Sequence, residues 1–278
     1  MADKNQYIVN TADLVSVADT IRTKTGTSAD LVFPSEFISS INNIPSGQTI
    51  PEQYIMDNLF QKRSNLIPVL LPAFNSIDSA NYAFADNPYL TSVDVSNIKF
   101  AVVGSGTLHL NYMFKNCTRL NSVKLFNTIG SEDGQKYTGS IIGMFDGCST
   151  IEEINMSHFK YAANDNYSSF TETFKNCTNL KRVALPVPHG ARYIGQYAFL
   201  NCSNLEEVIM VMNAGQTWDI AQNAVNTVFS GSSIASLNCS IYISDDVYDS
   251  FIASTRWEPY LTIIKKISEY PGEHWWEN

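Results

Sequence analysis

Between residues 112 and 210 one pattern is written four times: YMFKNCTRLNSVKL at 112–125, GMFDGCSTIEEINM at 143–156, ETFKNCTNLKRVAL at 172–185 and YAFLNCSNLEEVIM at 197–210. Each copy places a phenylalanine, a cysteine three residues on and a leucine or isoleucine six on: Phe114, Cys117, Leu120; Phe145, Cys148, Ile151; Phe174, Cys177, Leu180; Phe199, Cys202, Leu205. Each then adds two apolar residues in alternation: Val123 and Leu125, Ile154 and Met156, Val183 and Leu185, Val208 and Met210. A fifth copy without the cysteine precedes them (Phe84, Leu90, Val93, Val95), and weaker echoes sit at Phe60 with Leu66 and at Phe229 with Ile234. One such unit cannot bury its own apolar face, so the units must stack. The expected architecture is an α/β repeat solenoid.

The spacing assigns a job to each position. The closing alternation puts two apolar residues on one face of a short strand and the residue between them on the other. Phe and Cys then belong to a turn or short helical piece behind that strand. Stacked parallel strands lie about 4.8 Å apart, so seven rungs span on the order of 30 Å. Like residues fall above like residues, giving a Phe ladder (Phe84, Phe114, Phe145, Phe174, Phe199), a Cys ladder (Cys117, Cys148, Cys177, Cys202) and two aliphatic ladders. Cysteines at one repeated position read as small buried hydrophobes, and the asparagine before three of them (Asn116, Asn176, Asn201) suits a turn. Disulfides would need facing pairs and would leave Cys239 over. No C-x-x-C occurs and the four histidines are scattered, which gives no zinc pattern. The sequons that overlap the repeats, such as Asn116-Cys117-Thr118, follow from the repeat formula.

The copies YAFLNCSNLEEVIM, ETFKNCTNLKRVAL and YMFKNCTRLNSVKL resemble the BspA-type leucine-rich repeat of bacterial and protist surface proteins and phage genomes. The resemblance covers roughly residues 54–243. It implies a leucine-rich-repeat-like parallel sheet with short helices or turns behind it, an extended binding or adhesive surface, and no shared catalytic residue or cofactor. The spacing departs from a regular repeat, because successive phenylalanines from Phe60 to Phe229 lie 24, 30, 31, 29, 25 and 30 residues apart. The uneven segments 97–111, 126–141, 157–170, 186–196 and 211–227 are therefore the expected places for specific contacts.

Three domains are expected: a helical attachment or capping module at 1–47, the solenoid at 48–243, and a strand-helix-strand cap with a tail at 244–278. In the first, Leu14, Val17, Ala18 and Ile21 fall at helical spacing after Thr11. A second stripe, Phe37, Ile38, Ile41 and Ile44, runs into Pro45-Ser46-Gly47. This stretch resembles a module near the start of phage tail-associated proteins, and it equally suits a hairpin that covers the first rung. In the last, Ile241 and Ile243 form a strand, Ser244-Asp245-Asp246 opens a helix faced by Val247, Phe251 and Ile252, and a second strand falls near 263–267. Trp257 is expected to plug the stack. That region also resembles the closing segment of phage-encoded repeat proteins.

Composition narrows the function. A net charge of −9, from 18 basic and 27 acidic residues, disfavours nucleic acid as a partner. No stretch approaches the length of a membrane span, and the start, Met1 to Gln6, has no apolar signal-peptide core. Gly104-Ser105-Gly106 lacks the rest of a phosphate loop, and Glu152-Glu153 and Glu206-Glu207 point to opposite faces of a strand, so no enzyme is expected. The expected ligand contacts are loop aromatics and histidines: Tyr137, His158, Tyr161, Tyr167, Tyr193 and Trp218. The outward sheet face, including Asp94, Lys124, Glu153, Arg182, Ala184, Glu207 and Ile209, is mixed in character. Trp275 and Trp276 either dock on the cap or make a homo-oligomer contact. The leading expectation is a non-catalytic phage tail or tail-fibre component, made in the host cytoplasm and carried on the virion. It would bind a bacterial surface protein or glycan and join other virion proteins through residues 1–47. The alternatives are a bacterial cell-surface adhesin and an intracellular scaffold that inhibits a host protein.

Overall fold

A computed structural model describes residues 54–55, 57–58, 60–62, 69–70, 77–96, 108–125, 139–158, 160–161, 170–188 and 191–277. The helices expected within residues 1–47 lie outside the described residues.

The L-x-x-V-x-L segments form the front strands of a parallel solenoid. Glu153–Asn155, Arg182–Ala184, Glu207–Met210, Ser240–Ile243 and Ile264–Lys266 pair in chain order, and the sheet thus continues past residue 243. Register follows the repeat: Val183 lies between Ile154 and Val208, and Ile241 between Val208 and Ile264. Upstream, Val69–Leu70, Ser92–Asp94 and Ser122–Lys124 make a three-stranded sheet, with Val93 between Val69 and Val123. Further parallel strands line the other side, among them Ile77–Ser79, Leu108–His109 and Gly139–Ser140, and Ala191–Ile194 with Thr217–Ile220.

Behind the front strands the chain makes hydrogen-bonded turns in place of helices. The α-helix among the described residues is Tyr248–Ile252, in the cap. Each turn stacks on the next through backbone bonds: Phe84 N donates to Met113 O (2.8 Å), Phe114 N to Met144 O (2.9 Å), Phe145 N to Thr173 O (2.9 Å) and Phe174 N to Ala198 O (2.9 Å). The tight path needs left-handed residues two before and two after each Phe: Tyr82 and Asp86, Tyr112 and Asn116, Gly143 and Gly147, Glu172 and Asn176, Tyr197 and Asn201. Asparagine and aspartate tolerate that conformation by bonding locally, which explains Asn116, Asn176 and Asn201 before Cys and Asp86 before Asn87.

The Phe ladder is one continuous column. Ring centroids step 5.1 Å from Phe60 to Phe84, then 5.4, 5.4, 6.0 and 5.2 Å through Phe114, Phe145 and Phe174 to Phe199. Phe229 follows at 5.7 Å, and Trp257 of the cap closes the column 5.9 Å further on. The five ladder phenylalanines and four ladder cysteines are fully buried, and all five thiols are free.

The thiols also have a polar job. Cys117, Cys148, Cys177 and Cys202 each donate from Sγ to the carbonyl of the preceding rung's phenylalanine, at 3.0, 3.1, 3.1 and 3.0 Å. Phe114 O, Phe145 O and Phe174 O already accept the amide N–H three residues on, at 3.0–3.1 Å, and the thiol of the next rung adds a second, weaker donor. Asn87 replaces the cysteine in the fifth copy and does the same work, with Nδ2 2.7 Å from Phe60 O and 2.6 Å from Phe84 O.

Candidate binding surface

With the interior filled by ladders, chemistry is left to two outer surfaces: the turn ridge and the outward face of the front sheet. On the ridge, Tyr82 stacks on Tyr112 at 5.0 Å, and Lys115 Nζ stands 4.8 Å from the Tyr112 ring. The next residue in that column is Gly143, and a Cβ there would collide with the Tyr112 ring. Glycine's missing side chain therefore seats the tyrosine. Beside this column Asn116 Nδ2 bonds Asp86 Oδ1 at 2.8 Å, and Asn201 Nδ2 bonds Asn176 Oδ1 at 2.8 Å. Five residues after Phe84 and Phe114 stand Tyr89 and Arg119, with the guanidinium 5.3 Å from the ring. Tyr89 is 52% exposed, the most exposed large hydrophobic side chain among the described residues.

The sheet face carries cross-strand ion pairs. Lys124 reaches Asp94 at 3.8 Å, Lys181 reaches Glu152 at 2.8 Å, and Arg182 pairs with Glu153. At Asp94 partial burial raises the carboxyl's pKa, but bonds from Ser96 and the charge of Lys124 outweigh it and hold the group below the usual carboxylate range. Asp146, on the turn side, is shifted the other way: burial pushes it up despite Lys175 and Lys115. Among the described residues no cluster of three or more His, Cys, Asp or Glu is placed to hold a metal ion, and no helix is long and apolar enough to cross a membrane.

Among the described residues, the aromatics and histidine expected from the sequence do not gather into one exposed cluster. His158 is exposed after the strand Glu153–Asn155. Tyr161 lies on the short strand Lys160–Tyr161, in register with Pro188. Tyr137 and Tyr167 lie outside the described residues. Tyr193 is half-buried against the core, with Arg256 of the cap 5.8 Å from its ring. Trp218 is a correction. It is fully buried, with its ring 5.1 Å from Phe170 and its Nε1 donating to Pro186 O at 3.0 Å. An indole inside the stack cannot touch a ligand: Thr217–Ile220 is a lateral strand in place of the expected loop, and its alternation turns Trp218 and Ile220 inward.

Two further positions depart from expectation. Ala184 and Ile209 point outward from the front strands but are fully buried, because the chain from Ile267 to Trp276 returns over them with Tyr242. Tyr89, Arg119, Tyr82 and Tyr112 were missed as surface candidates. The signal was present: Tyr89 and Arg119 occupy one repeat position, as do Tyr82 and Tyr112.

A scan against protein families matches the BspA type leucine rich repeat region, in six copies, over residues 39–166 and 111–255. These spans together cover well over half of the chain. The chain belongs to the BspA-type leucine-rich repeat family. No curated protein and no solved structure matches it. In this BspA-type repeat protein the ladders account for Phe, Cys and the aliphatic positions, and family membership suggests a binding or adhesion role.

Proposed function

We propose that this BspA-type repeat protein is a non-catalytic receptor-binding component of a phage tail, displayed on the virion and recognising a bacterial surface protein or glycan. The observation that carries the binding part is the exposed Tyr89–Arg119 stack, formed by one repeat position on two successive rungs. A tyrosine ring gives large contact area at low entropic cost, the arginine stacked on it adds a planar cation, and both suit sugars and peptides. The resemblances at both ends of the sequence support the tail assignment. Attachment to other virion proteins falls to residues 1–47.

The test is a pull-down of labelled protein on intact candidate host cells, comparing the parent with Tyr89→Ala/Arg119→Ala/His158→Ala. These side chains lie outside the core, so the melt should be unchanged while cell capture falls at least tenfold. Equal capture moves the site off these three side chains and overturns the ridge assignment. Absence of capture by any host cell, with retention of a cytosolic host protein, would favour an intracellular scaffold.

A further inference from the structure

The segment that buries Ala184 and Ile209 is built like a ligand seated on the sheet. Trp276 is buried on the front face among Ala184, Ile209 and Tyr242, and its ring is packed by Tyr270 at 4.8 Å and His274 at 4.6 Å. Its carbonyl is met by Asn155 Nδ2 at 3.2 Å and Ser157 Oγ at 2.6 Å. Trp275 lies under the Arg182 guanidinium at 5.0 Å. These partners come from four successive front strands and the turn after the first, so the receiving surface is formed by the rigid ladder.

The segment's own backbone bonds are local: Trp275 N to Glu273 O at 2.9 Å and Glu277 N to His274 O at 3.0 Å. Among the described residues it pairs with no strand. It joins the body through Pro271 and Gly272, both exposed, whereas the chain just before is tied down by Ser268 on Asp245 and Tyr270 on Glu207. An apolar face, a tryptophan pair that fills it and an exposed Pro-Gly joint between two anchored parts are the components of an exchangeable arm.

We propose that residues 273–277 can seat on the front face of a second copy of this chain, so that neighbouring copies are linked by exchanged tryptophan arms. Every contact made within one chain is remade between two, and the balance between closed and exchanged forms is set by local concentration. The occupant is a second copy because the arm's side chains are the ones this face is shown to accommodate. The inference stands whether or not the chain binds a bacterial surface.

Two full-length variants separate face from arm. Trp275→Ala/Trp276→Ala keeps the face and loses the arm; Ile209→Arg keeps the arm and spoils the face. By light scattering after size exclusion, each alone is expected at the monomer mass of 31.0 kDa. Their equimolar mixture is expected to show a species of twice that mass. If Ile209→Arg fails to fold, Asn155→Ala/Ser157→Ala takes its place. A mixture that stays monomeric at concentrations up to the solubility limit overturns the proposal. So does loss of the cooperative melt in Trp275→Ala/Trp276→Ala, which would make the segment an integral layer of the fold.

Discussion

Phe174 stands fully buried in the middle of the aromatic column, between Phe145 and Phe199. The rings above and below are fixed by backbone bonds between rungs, so the site cannot collapse easily. Phe174→Ala is therefore expected to cost about 3–5 kcal/mol in urea unfolding, the usual range for emptying a core aromatic site. A loss below about 1 kcal/mol would mean that the column tolerates a gap. The thiols one ladder over make a second prediction. Burial pushes Cys117 and Cys239 up to about 12, and raises Cys148, Cys177 and Cys202 as well. Below the ordinary thiol value both folded and unfolded chains keep these protons, and stability is unaffected. Above it the unfolded chain ionises while the folded one does not, so stability falls as pH rises, by about 1.4 kcal/mol per thiol per pH unit. Urea melts at pH 8, 9 and 10 should show this decline, and Cys177→Ala should make it shallower. An unchanged slope would mean that this thiol titrates normally in the folded state. The residue scale was also the most legible from sequence, because Phe and Cys recur at fixed spacing. The left-handed asparagines could be read, since their side chains favour that backbone; Tyr82 and Tyr112 in the same conformation could not, because tyrosine has no such preference.

At the scale of elements, the L-x-x-V-x-L pattern located the front strands closely, because alternation against a buried face permits only one register. What alternation does not reveal is what later covers the other face. Ala184 and Ile209 point outward, as alternation requires, but a segment from Ile267 to Trp276 lies over them. That contact spans too much chain for local pattern to show. Trp218 differs for a related reason: its lateral strand Thr217–Ile220 lies ahead of the Phe229 turn, where the Phe-Cys signature is incomplete, so the short alternation there has no repeat to mark it as interior. The charged positions on the front face carry a prediction of their own. Lys181 lies between Glu152 and Glu206, donating to Glu152 at 2.8 Å, and its backbone carbonyl accepts from Glu206 N at 2.7 Å. Lys181→Glu would align three carboxylates across adjacent strands, where like charges oppose pairing. The expected result is a lower melting temperature in low salt that largely recovers in high salt, since exposed charges are screened within about 10 Å at 0.1 M. A salt-independent loss would point to packing by the lysine stem instead.

For the whole molecule, a solenoid is stabilised by neighbour-on-neighbour contact and therefore needs its ends closed. At one end the cap supplies Trp257, whose Nε1 donates to Trp218 O at 3.2 Å, and Arg256, which binds Asp219 at 2.7 Å beneath Ser254. At the other end the first described strand is Tyr54–Ile55, paired with Ile77–Ser79 on one side. Residues 1–47 precede it with two apolar stripes of their own and a polar exit at Pro45-Ser46-Gly47, a composition that suits a separable module. If they serve attachment, deleting them leaves the Phe column and its interlocking turns intact, and the truncated chain keeps a single cooperative melt and its capture by cells. It would, however, no longer be incorporated into particles when supplied in place of the parent during assembly. If they instead close the first rung, the deletion exposes a strand edge and the apolar ladders behind it, and the product aggregates or melts over a broad range. Calorimetry of the truncated chain, read beside its incorporation into particles, separates the two: a sharp melt with lost incorporation supports attachment, and a broad melt assigns the segment to the fold.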